Sequence, residues 1–562
     1  MHREVAFHQA LAVALEQWSE GSSEQLARHW GGGGDPLKAS EHARCAAEQA
    51  ERKIDFNRAA RFYRVALAPH VVGEERRELL TSLAEALGHA GRPAEAARAY
   101  REAAGLADPL TALELRHQSA ASLLRGGYVG QGLEEIESVL RDLGVQPSPA
   151  ARLSAWQRFS LGYRYARCKT GEADLSRRVL TEMDVCASMA IALSTLDTGR
   201  GTEYQARYLA LALRHGETRR VAQALALEAG YLAGAGKYRA AERMAGRADR
   251  LVEESGDQGA VPYVLWARGA LAMFKDSDWR AALDSFRRGI AVVREQHRVA
   301  AWETSTGEQF VFACRLWLGE LPLLVERVPG FVRAAEMRGD NYTALGTRLR
   351  FGPLIHLWRG DGAAALRELD GAVAAWAGAQ GGRTVRNPAA IATRADILLH
   401  CGEPDRLARH VCLDVRGLAS SQFARYPFVL RETAHALARV ALARAAAAKG
   451  AGRVAALDEV WRASALLRRD PAPVWSALAD LLDAGRARID GRDDEARRAL
   501  ESAIAELDRL HMVVHAAAAR RALGRLIGGS EGEALTARAD EHLRLQGIAQ
   551  PETWAAVLAP GL

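Results

Sequence analysis

Two glycine-rich strings contain residues that could do chemistry. In GAGKY, Lys237 follows glycines that could cradle a phosphate, but a phosphate loop needs a further glycine, a serine or threonine after the lysine, and a preceding strand. In GGSEG, Ser530 fits the G-x-S-x-G pattern of a nucleophilic serine, which requires a strand before it. The surrounding sequence favours helices at both places. We therefore interpret the first string as a turn between helices and expect no catalysis at the second.

Two further patterns could indicate a metal site and a kinase. His400, Cys401, His410 and Cys412 are close in sequence, but their spacing matches no familiar ligand pattern, which favours packing between helices. Asp55 is followed by Phe-Asn rather than the Phe-Gly of a kinase metal loop, and no H-R-D motif occurs. We predict no catalytic residues, no cofactor and no metal ligands.

The composition favours helix nearly throughout the chain. Alanine and leucine dominate, aromatic residues make up 6%, and only 17 prolines interrupt 562 residues. The 75 lysines and arginines nearly balance 69 aspartates and glutamates, for a net charge of +6. The electrostatic field of so small a net charge is weak compared with that of the clustered basic face of a nucleic-acid-binding protein. We therefore expect no nucleic-acid partner.

The cysteine pattern and the hydropathy of the chain indicate the cellular compartment of the protein. The six cysteines form no C-x-x-C pair and lack the dense spacing of a disulfide scaffold. No window of about 18 uninterrupted apolar residues occurs, and the N-terminus shows no signal-peptide cleavage site. We therefore predict a cytoplasmic protein that has no membrane partner.

One string suggests how the helices are arranged. In HAGRPAEAARAYREAAGLADP, Gly91 can end one helix in the left-handed conformation, and a proline two residues later suits the start of the next. On that second helix Ala96, Tyr100 and Ala103 share one face, so two small residues allow close helix approach and one ring fills the space between. This pattern predicts a helical hairpin.

The same pattern recurs along the chain. Copies lie about 36–41 residues apart, close to the roughly 34-residue period of tetratricopeptide repeats. The repeat-packing positions that we assign in the other copies are Ala59, Tyr63, Ala66, Gly236, Ala241, Ala282, Phe286, Ala496, Leu500 and Ala503. We predict an all-α fold, a right-handed α-solenoid in which each hairpin buries its apolar face against its neighbours. The number of repeats in 150–220, 296–340 and 405–470 stays open.

The glycine-rich segment 378–388 is the best candidate for a hinge. We therefore divide the chain into an N-terminal helical segment at 1–36, a first superhelical part at 37–378, and a second part with a C-terminal cap at 379–562. The first helix carries Val5, Leu11, Val13 and Trp18, apolar on more than one side. Such a face is unusual for the free end of a solenoid, where capping helices are normally polar.

A tetratricopeptide superhelix exposes the first helix of each hairpin on its concave side, which forms a groove for a peptide, a helix or a bulky small molecule. Arg268 beside Trp266, and Arg350 near His356 and Trp358, are the nearest candidates for groove anchors.

The paired lysine, asparagine and arginine residues that would clamp a carboxylate are not evident. The first helix of the hairpin around Gly91 instead offers Glu78, Thr81, Ser82 and Glu85.

Both ends of the chain resemble a known family. Leu26, Ala27, His29 and Trp30 form an L-A-x-H-W string that leads into G-D-P and the first repeats. This resembles the segment after the nucleotide-binding and winged-helix parts of bacterial signalling ATPases of the STAND type. The ending LRLQGIAQPETWAAVLAPGL is similar to the C-terminus of bacterial serine/threonine protein kinases that carry such an ATPase module and a tetratricopeptide tail.

The chain has neither a Walker loop nor kinase motifs, so no catalytic or nucleotide-binding residue carries over from that family. The resemblance implies a non-catalytic scaffold or sensor tail that binds a protein or peptide partner, for which an upstream kinase or ATPase polypeptide is the candidate. A small-molecule-sensing superhelix of a transcription regulator is the alternative, which a deep polar pocket with converging aromatic residues would favour. The oligomeric state is left open.

Overall fold

The fold is all-helical, as predicted. The computed structural model describes residues 2–17, 22–144, 170–171, 175–196, 198–295, 301–379, 388–406 and 426–562. Apart from one isolated bridge between Gly171 and Glu217, this part of the chain contains no β-structure. Trp18, His410, Cys412 and most of the predicted hinge lie outside the described residues. The prediction of an α-solenoid is confirmed.

The helices follow one another along the chain as stacked antiparallel hairpins. In the first half they are α1 His2–Gln17, α2 Ser23–Gly32, α3 Pro36–Arg52, α4 Phe56–Ala66, α5 Gly73–His89, α6 Pro93–Ala104, α7 Pro109–Arg125, α8 Val129–Asp142, α9 Arg177–Leu196, α10 Thr198–His215, α11 Thr218–Gly234, α12 Tyr238–Ser255, α13 Val261–Leu271 and α14 Trp279–Glu295. In the second half they are α15 Ala301–Leu318, α16 Leu321–Met337, α17 Asn341–Arg350, α18 Gly352–Trp358, α19 Gly362–Ala379, α20 Pro388–His400, α21 Pro427–Ala447, α22 Gly450–Leu467, α23 Pro473–Ile489, α24 Asp493–Arg509, α25 Val513–Ile527, α26 Gly529–Leu545 and α27 Pro551–Leu558.

The hairpin turns use glycine and proline. Gly91 follows α5 with a φ of 76°, a left-handed conformation that glycine adopts without strain. Pro93 then begins α6, where a missing N–H costs no helical hydrogen bond. Similar left-handed glycines stand between α11 and α12 at Gly236 and between α23 and α24 at Gly491.

The small and large side chains of the repeat pattern lie inside the hairpin stack. Where the pattern places alanine, the exposed fraction is zero, so neighbouring helices approach to the Cβ atom. The aromatic and leucine members fill the remaining space. The buried set comprises Ala59, Tyr63, Ala66, Ala96, Tyr100, Ala103, Ala241, Ala282, Phe286, Ala496, Leu500 and Ala503.

Successive turns of the superhelix touch one another. The Asn341 side chain donates to the Gly126 carbonyl at 3.1 Å, and the Tyr238 hydroxyl donates to Asp470 at 3.2 Å. The Ser277 hydroxyl accepts from the Val474 N–H at 3.3 Å. These partners are 197 to 232 residues apart, which corresponds to roughly six hairpins at the usual repeat length. The solenoid is therefore a coil whose consecutive turns are in direct contact.

The superhelical turns also meet at Gly91. A Cβ atom on Gly91 would overlap the Met337 carbonyl oxygen, and one on Gly339 would overlap the Gly91 carbonyl oxygen. The two hairpin turns therefore meet backbone to backbone. Only glycine fits such a contact, in addition to the left-handed φ that both positions have.

We predict that Gly91→Ala destabilises the chain far more than Gly491→Ala. Both glycines have a φ near 75°, but a Cβ atom on Gly491 meets nothing within 4 Å. Gly491→Ala, the control, should lower the free energy of unfolding by about 1 kcal/mol because alanine must adopt the left-handed conformation. Gly91→Ala should lower it by about 1–3 kcal/mol more because the added Cβ atom overlaps the facing backbone. Urea unfolding of the two variants measures the difference. Equal losses would contradict the contact between turns.

Candidate functional site

The inner helices of the first hairpins carry an open acidic surface. Glu48 and Glu51 lie on α3, and Ser82 and Glu85 lie on α5; we call these four residues the acidic inner face. Glu48 and Glu85 are exposed, and Glu51 is half-buried. Glu51 accepts a hydrogen bond from the Tyr63 hydroxyl at 3.0 Å. None of the described cationic side chains forms an ion pair with these three carboxylates.

These carboxylates repel one another. Partial burial and the Glu51 carboxylate both raise the pKa of Glu85. Burial also raises the pKa of Glu51, with a smaller contribution from Glu48, although the hydrogen bond from Tyr63 opposes the rise. Like charges held together without a cation make this face a region of negative potential. A cationic group that bound here would relieve the repulsion.

The inner surface of the last superhelical turn differs, because it is covered. Two ion pairs occupy it: Asp396 on α20 lies 2.8 Å from Arg439 on α21, and Arg350 on α17 pairs with Glu432 on α21. His435 and His515 lie beside Arg439. We call these six residues the lumen cluster.

A stripe of polar residues on one helix supplies two members of the lumen cluster, His435 and Arg439. Arg431, His435 and Arg439 are spaced four residues apart on α21, so they share one face of a helix that is rich in alanine, leucine and valine. All three are under 9% exposed. Arg431 pairs with Asp470 at 3.0 Å, and Arg439 with Asp396. Our sequence analysis missed these residues, although the four-residue spacing of charges in an apolar helix was the available signal.

Burial governs protonation in the lumen cluster. Burial raises the pKa of Asp396, although Arg439 and Arg350 oppose the rise. Burial, assisted by Arg439, lowers the pKa of His515 to about 3 and that of His435 well below its usual value. Both imidazoles are therefore neutral at pH 7. The His435 Nε2 atom has no hydrogen-bond partner in the described structure.

Aromatic rings converge near the lumen cluster and pack against one another. Trp279 and Trp317 stack with ring centroids 5.2 Å apart, and Trp317 also stacks on His515 at 5.7 Å. Phe428 packs edge-on against Trp475 at 5.1 Å. These rings belong to the hydrophobic core, because their faces contact each other. The convergence therefore does not by itself favour the small-molecule alternative.

The predicted groove anchors are in different environments. Arg268 is exposed and pairs with Asp249, and Trp266 is half-buried, packed edge-on against Tyr263.

The other three predicted anchors lie in the last superhelical turn. His356 is half-buried, Trp358 is 1% exposed, and Arg350 belongs to the lumen cluster. Trp358 therefore does not face solvent in this conformation and could anchor a partner only after being uncovered, whereas Arg350 is half-buried and already paired with Glu432.

The strings that could do chemistry lie at turns between helices. Lys237 stands between α11 and α12, and Ser530 lies in the first turn of α26, directly after α25 ends. Where the structure describes the chain, no three histidine, cysteine, aspartate or glutamate side chains are grouped to hold a metal ion. No helix in the same part is both long and apolar enough to cross a bilayer.

Comparisons with known proteins give no family. No family model and no curated protein matches the sequence. Among solved structures, the chain is similar to yeast Tom70, at 12% identity over 86% of this chain and 96% of that one, with a TM-score of 0.31. It is also similar to the APC/C hetero-tetramer Cut9–Hcn1, at 13% identity over 92% and 95%, with a TM-score of 0.31. A circular tandem repeat protein matches at 15% identity over 97% of each chain, with a TM-score of 0.15. At these scores the likeness carries no argument about function.

We predict that the two lumen histidines make stability depend on pH. Their folded-state pKa values lie below the unfolded value near 6.5, so their contribution is complete above pH 6.5 and is lost as pH falls toward 3. At pH 5, each histidine that folding holds neutral lowers the free energy of unfolding by up to about 2 kcal/mol. The variant His435→Gln/His515→Gln should therefore lose less stability than the parent between pH 7 and 5, measured by urea unfolding.

The exposed His70 provides the control. A His70→Gln variant should keep the pH dependence of the parent. Parallel pH profiles for the parent and the double variant would show that the lumen histidines are not held neutral by folding.

Proposed function

We propose that this protein is a non-catalytic protein-interaction scaffold whose acidic inner face binds a cationic segment of a partner. The observation that carries the proposal is the contrast between inner surfaces. On α3 and α5 the inner residues include two exposed carboxylates and one half-buried carboxylate that pair with no described cation, whereas α21, α23 and α25 are almost entirely buried. The hairpins around α3 and α5 therefore offer a groove wall, and its charge selects lysine or arginine over acidic chains.

The arginines of the neighbouring hairpins support this assignment. They pair with carboxylates of other helices: Arg64 on α4 lies 2.7 Å from Glu95, and Arg116 on α7 lies 2.6 Å from Asp142. Cations are therefore available nearby, but they are not directed at Glu48, Glu51 or Glu85. A binding surface that must receive a charged partner is left uncompensated in the free protein.

We predict that neutralising the acidic inner face abolishes most of its affinity for a cationic peptide. The test compares the parent with Glu48→Gln/Glu51→Gln/Glu85→Gln by fluorescence anisotropy, using a labelled peptide of about ten lysines. Removing three charges from one surface should weaken binding at least about tenfold, or 1.4 kcal/mol. Added salt should weaken parent binding as well.

The matched control removes the same charge elsewhere. Glu102, Glu134 and Glu326 are exposed on α6, α8 and α16, and the triple glutamine variant at these positions should bind like the parent. A peptide of about ten glutamates should not bind. Equal weakening by both triple variants would show only non-specific charge attraction and would refute the assigned surface.

The signalling context is a further part of the proposal. We propose that the scaffold serves a bacterial kinase- or ATPase-based signal transduction system, on the basis of the resemblance at both ends of the chain. One structural feature supports a docking role for α1: on more than one side it exposes apolar residues, with Phe7 at 63%, Val13 at 43% and Val5 at 37%. In the resembling proteins a winged-helix module precedes this helix and would cover these residues.

We predict that α1 is the least protected helix of the isolated chain and becomes protected by an ATPase or kinase polypeptide. Hydrogen exchange over residues 5–17 should be fast alone and slow after addition of the product of the neighbouring gene. Phe7→Ser should remove the added protection, whereas Gln17→Ser, a change at a polar exposed position of α1, should keep it. Slow exchange in a monomeric sample without a partner would contradict this prediction.

A further inference from the structure

The last helix, α27, lies inside the coil of its own chain. A capping helix of a solenoid contacts the hairpin before it. Helix α27 contacts α25 and α26 but also reaches α18, α20 and α21, and the residues after it reach α23. Because these helices follow one another from residue 352 to residue 527, which is most of one superhelical turn, a segment that touches them all lies in the lumen.

The N-terminal end of α27 is held by α18. The Ala549 N–H donates to the Trp358 carbonyl at 2.8 Å, and the Trp554 ring packs edge-on against the Trp358 ring at 6.4 Å. A Cβ atom on Gly360 would lie 2.9 Å from the side-chain nitrogen of Gln550, so the turn after α18 contacts the residue that precedes α27. Trp358, a predicted groove anchor, is thus covered by a helix.

The C-terminal end of α27 is held by the lumen cluster. Arg439 donates through Nη1 to the Val557 carbonyl at 3.0 Å, so a buried cation meets one of the last carbonyls of a helix. The helix dipole makes this arrangement favourable. Beyond the helix, a Cβ atom on Gly485 would lie 2.8 Å from the Pro560 carbonyl oxygen. Val557 itself is fully buried.

Two features suit this helix to reversible docking. It has eight residues and no side-chain N-cap, and a helix that short is not stable in water alone. The surface below it is not purely apolar: Trp554 and Val557 pack in the hydrophobic core, but Arg439 is 5% exposed and its Nε atom has no partner in the described structure, as is true of His435 Nε2. A buried ion pair contributes little net stability because desolvation offsets its attraction.

We propose that the lumen around Trp358 and Arg439 is a docking site for a short helix, held in the resting chain by α27 and taken over by a partner helix of the same chemistry. That helix carries one tryptophan toward Trp358, small apolar residues along the lumen, and free C-terminal carbonyls toward Arg439. The inference deepens the proposed scaffold function and rests on it. It also assigns α27 the role of an internal competitor.

The test uses a labelled synthetic peptide of residues 547–562, GIAQPETWAAVLAPGL, and full-length chains. The parent should bind it weakly, because the tethered copy competes at an effective concentration in the millimolar range. The variant Trp554→Ala weakens the tethered copy and should bind the peptide at least about tenfold more tightly. Ala556 is exposed on the same helix, so Ala556→Gln should behave like the parent. A peptide with tryptophan changed to alanine should not bind.

A peptide affinity equal in Trp554→Ala and in the parent, with unchanged helicity, would overturn the proposal and leave α27 as a permanent cap. Hydrogen exchange of the parent gives a second test if the variant misfolds. Faster exchange across residues 551–558 than across α25 supports undocking, and equally slow exchange contradicts it. Lysine-peptide binding at the acidic inner face should be unchanged in Trp554→Ala. The two proposals can therefore fail separately.

Discussion

Contact between consecutive superhelical turns is the constraint on which the rest of the structure depends. A helical hairpin cannot bury its apolar face alone, so it stacks on its neighbours, but stacking alone leaves the pitch of the coil free. Here the turns meet at Gly91 and Gly339 through backbone atoms, and at Ser277 and Tyr238 through hydrogen bonds. Contacts of this kind fix the pitch and therefore the width of the lumen.

A fixed lumen has different contents in the two halves because the inner helices carry different residues. Where α21 presents Ala434, Ala438 and Ala441, all fully or nearly fully buried, other helices can approach closely and a short helix fills what remains. Where α3 and α5 present Glu48 and Glu85, ionised groups must stay hydrated and the inner surface remains open. Residue type on the inner helices thus separates a covered binding surface from an open one.

The local structure was predictable from sequence, and the closure of the coil was not. Glycine at the hairpin turn and small residues at helical spacing act within a few residues of each other, so the hairpin at Gly91 follows from the chain alone. The contact of Asn341 with the Gly126 carbonyl joins residues 215 apart. It depends on the sum of many small rotations between hairpins, and no local pattern encodes that sum. The same limit explains why Trp358, a plausible groove residue, lies under α27.

Helix α21 connects the closure of the coil with the lumen. At one end of its polar stripe, Arg431 lies 3.0 Å from Asp470, which also accepts a hydrogen bond from Tyr238 of the preceding superhelical turn. Two helical turns further on, Arg439 holds the Val557 carbonyl of α27. Because a rigid helix carries both contacts, the position of α27 and the junction between turns are not independent. An occupant of the lumen that moved α21 would therefore act on the contact that sets the pitch, and this geometry gives a binding event inside the coil a route to its outer shape.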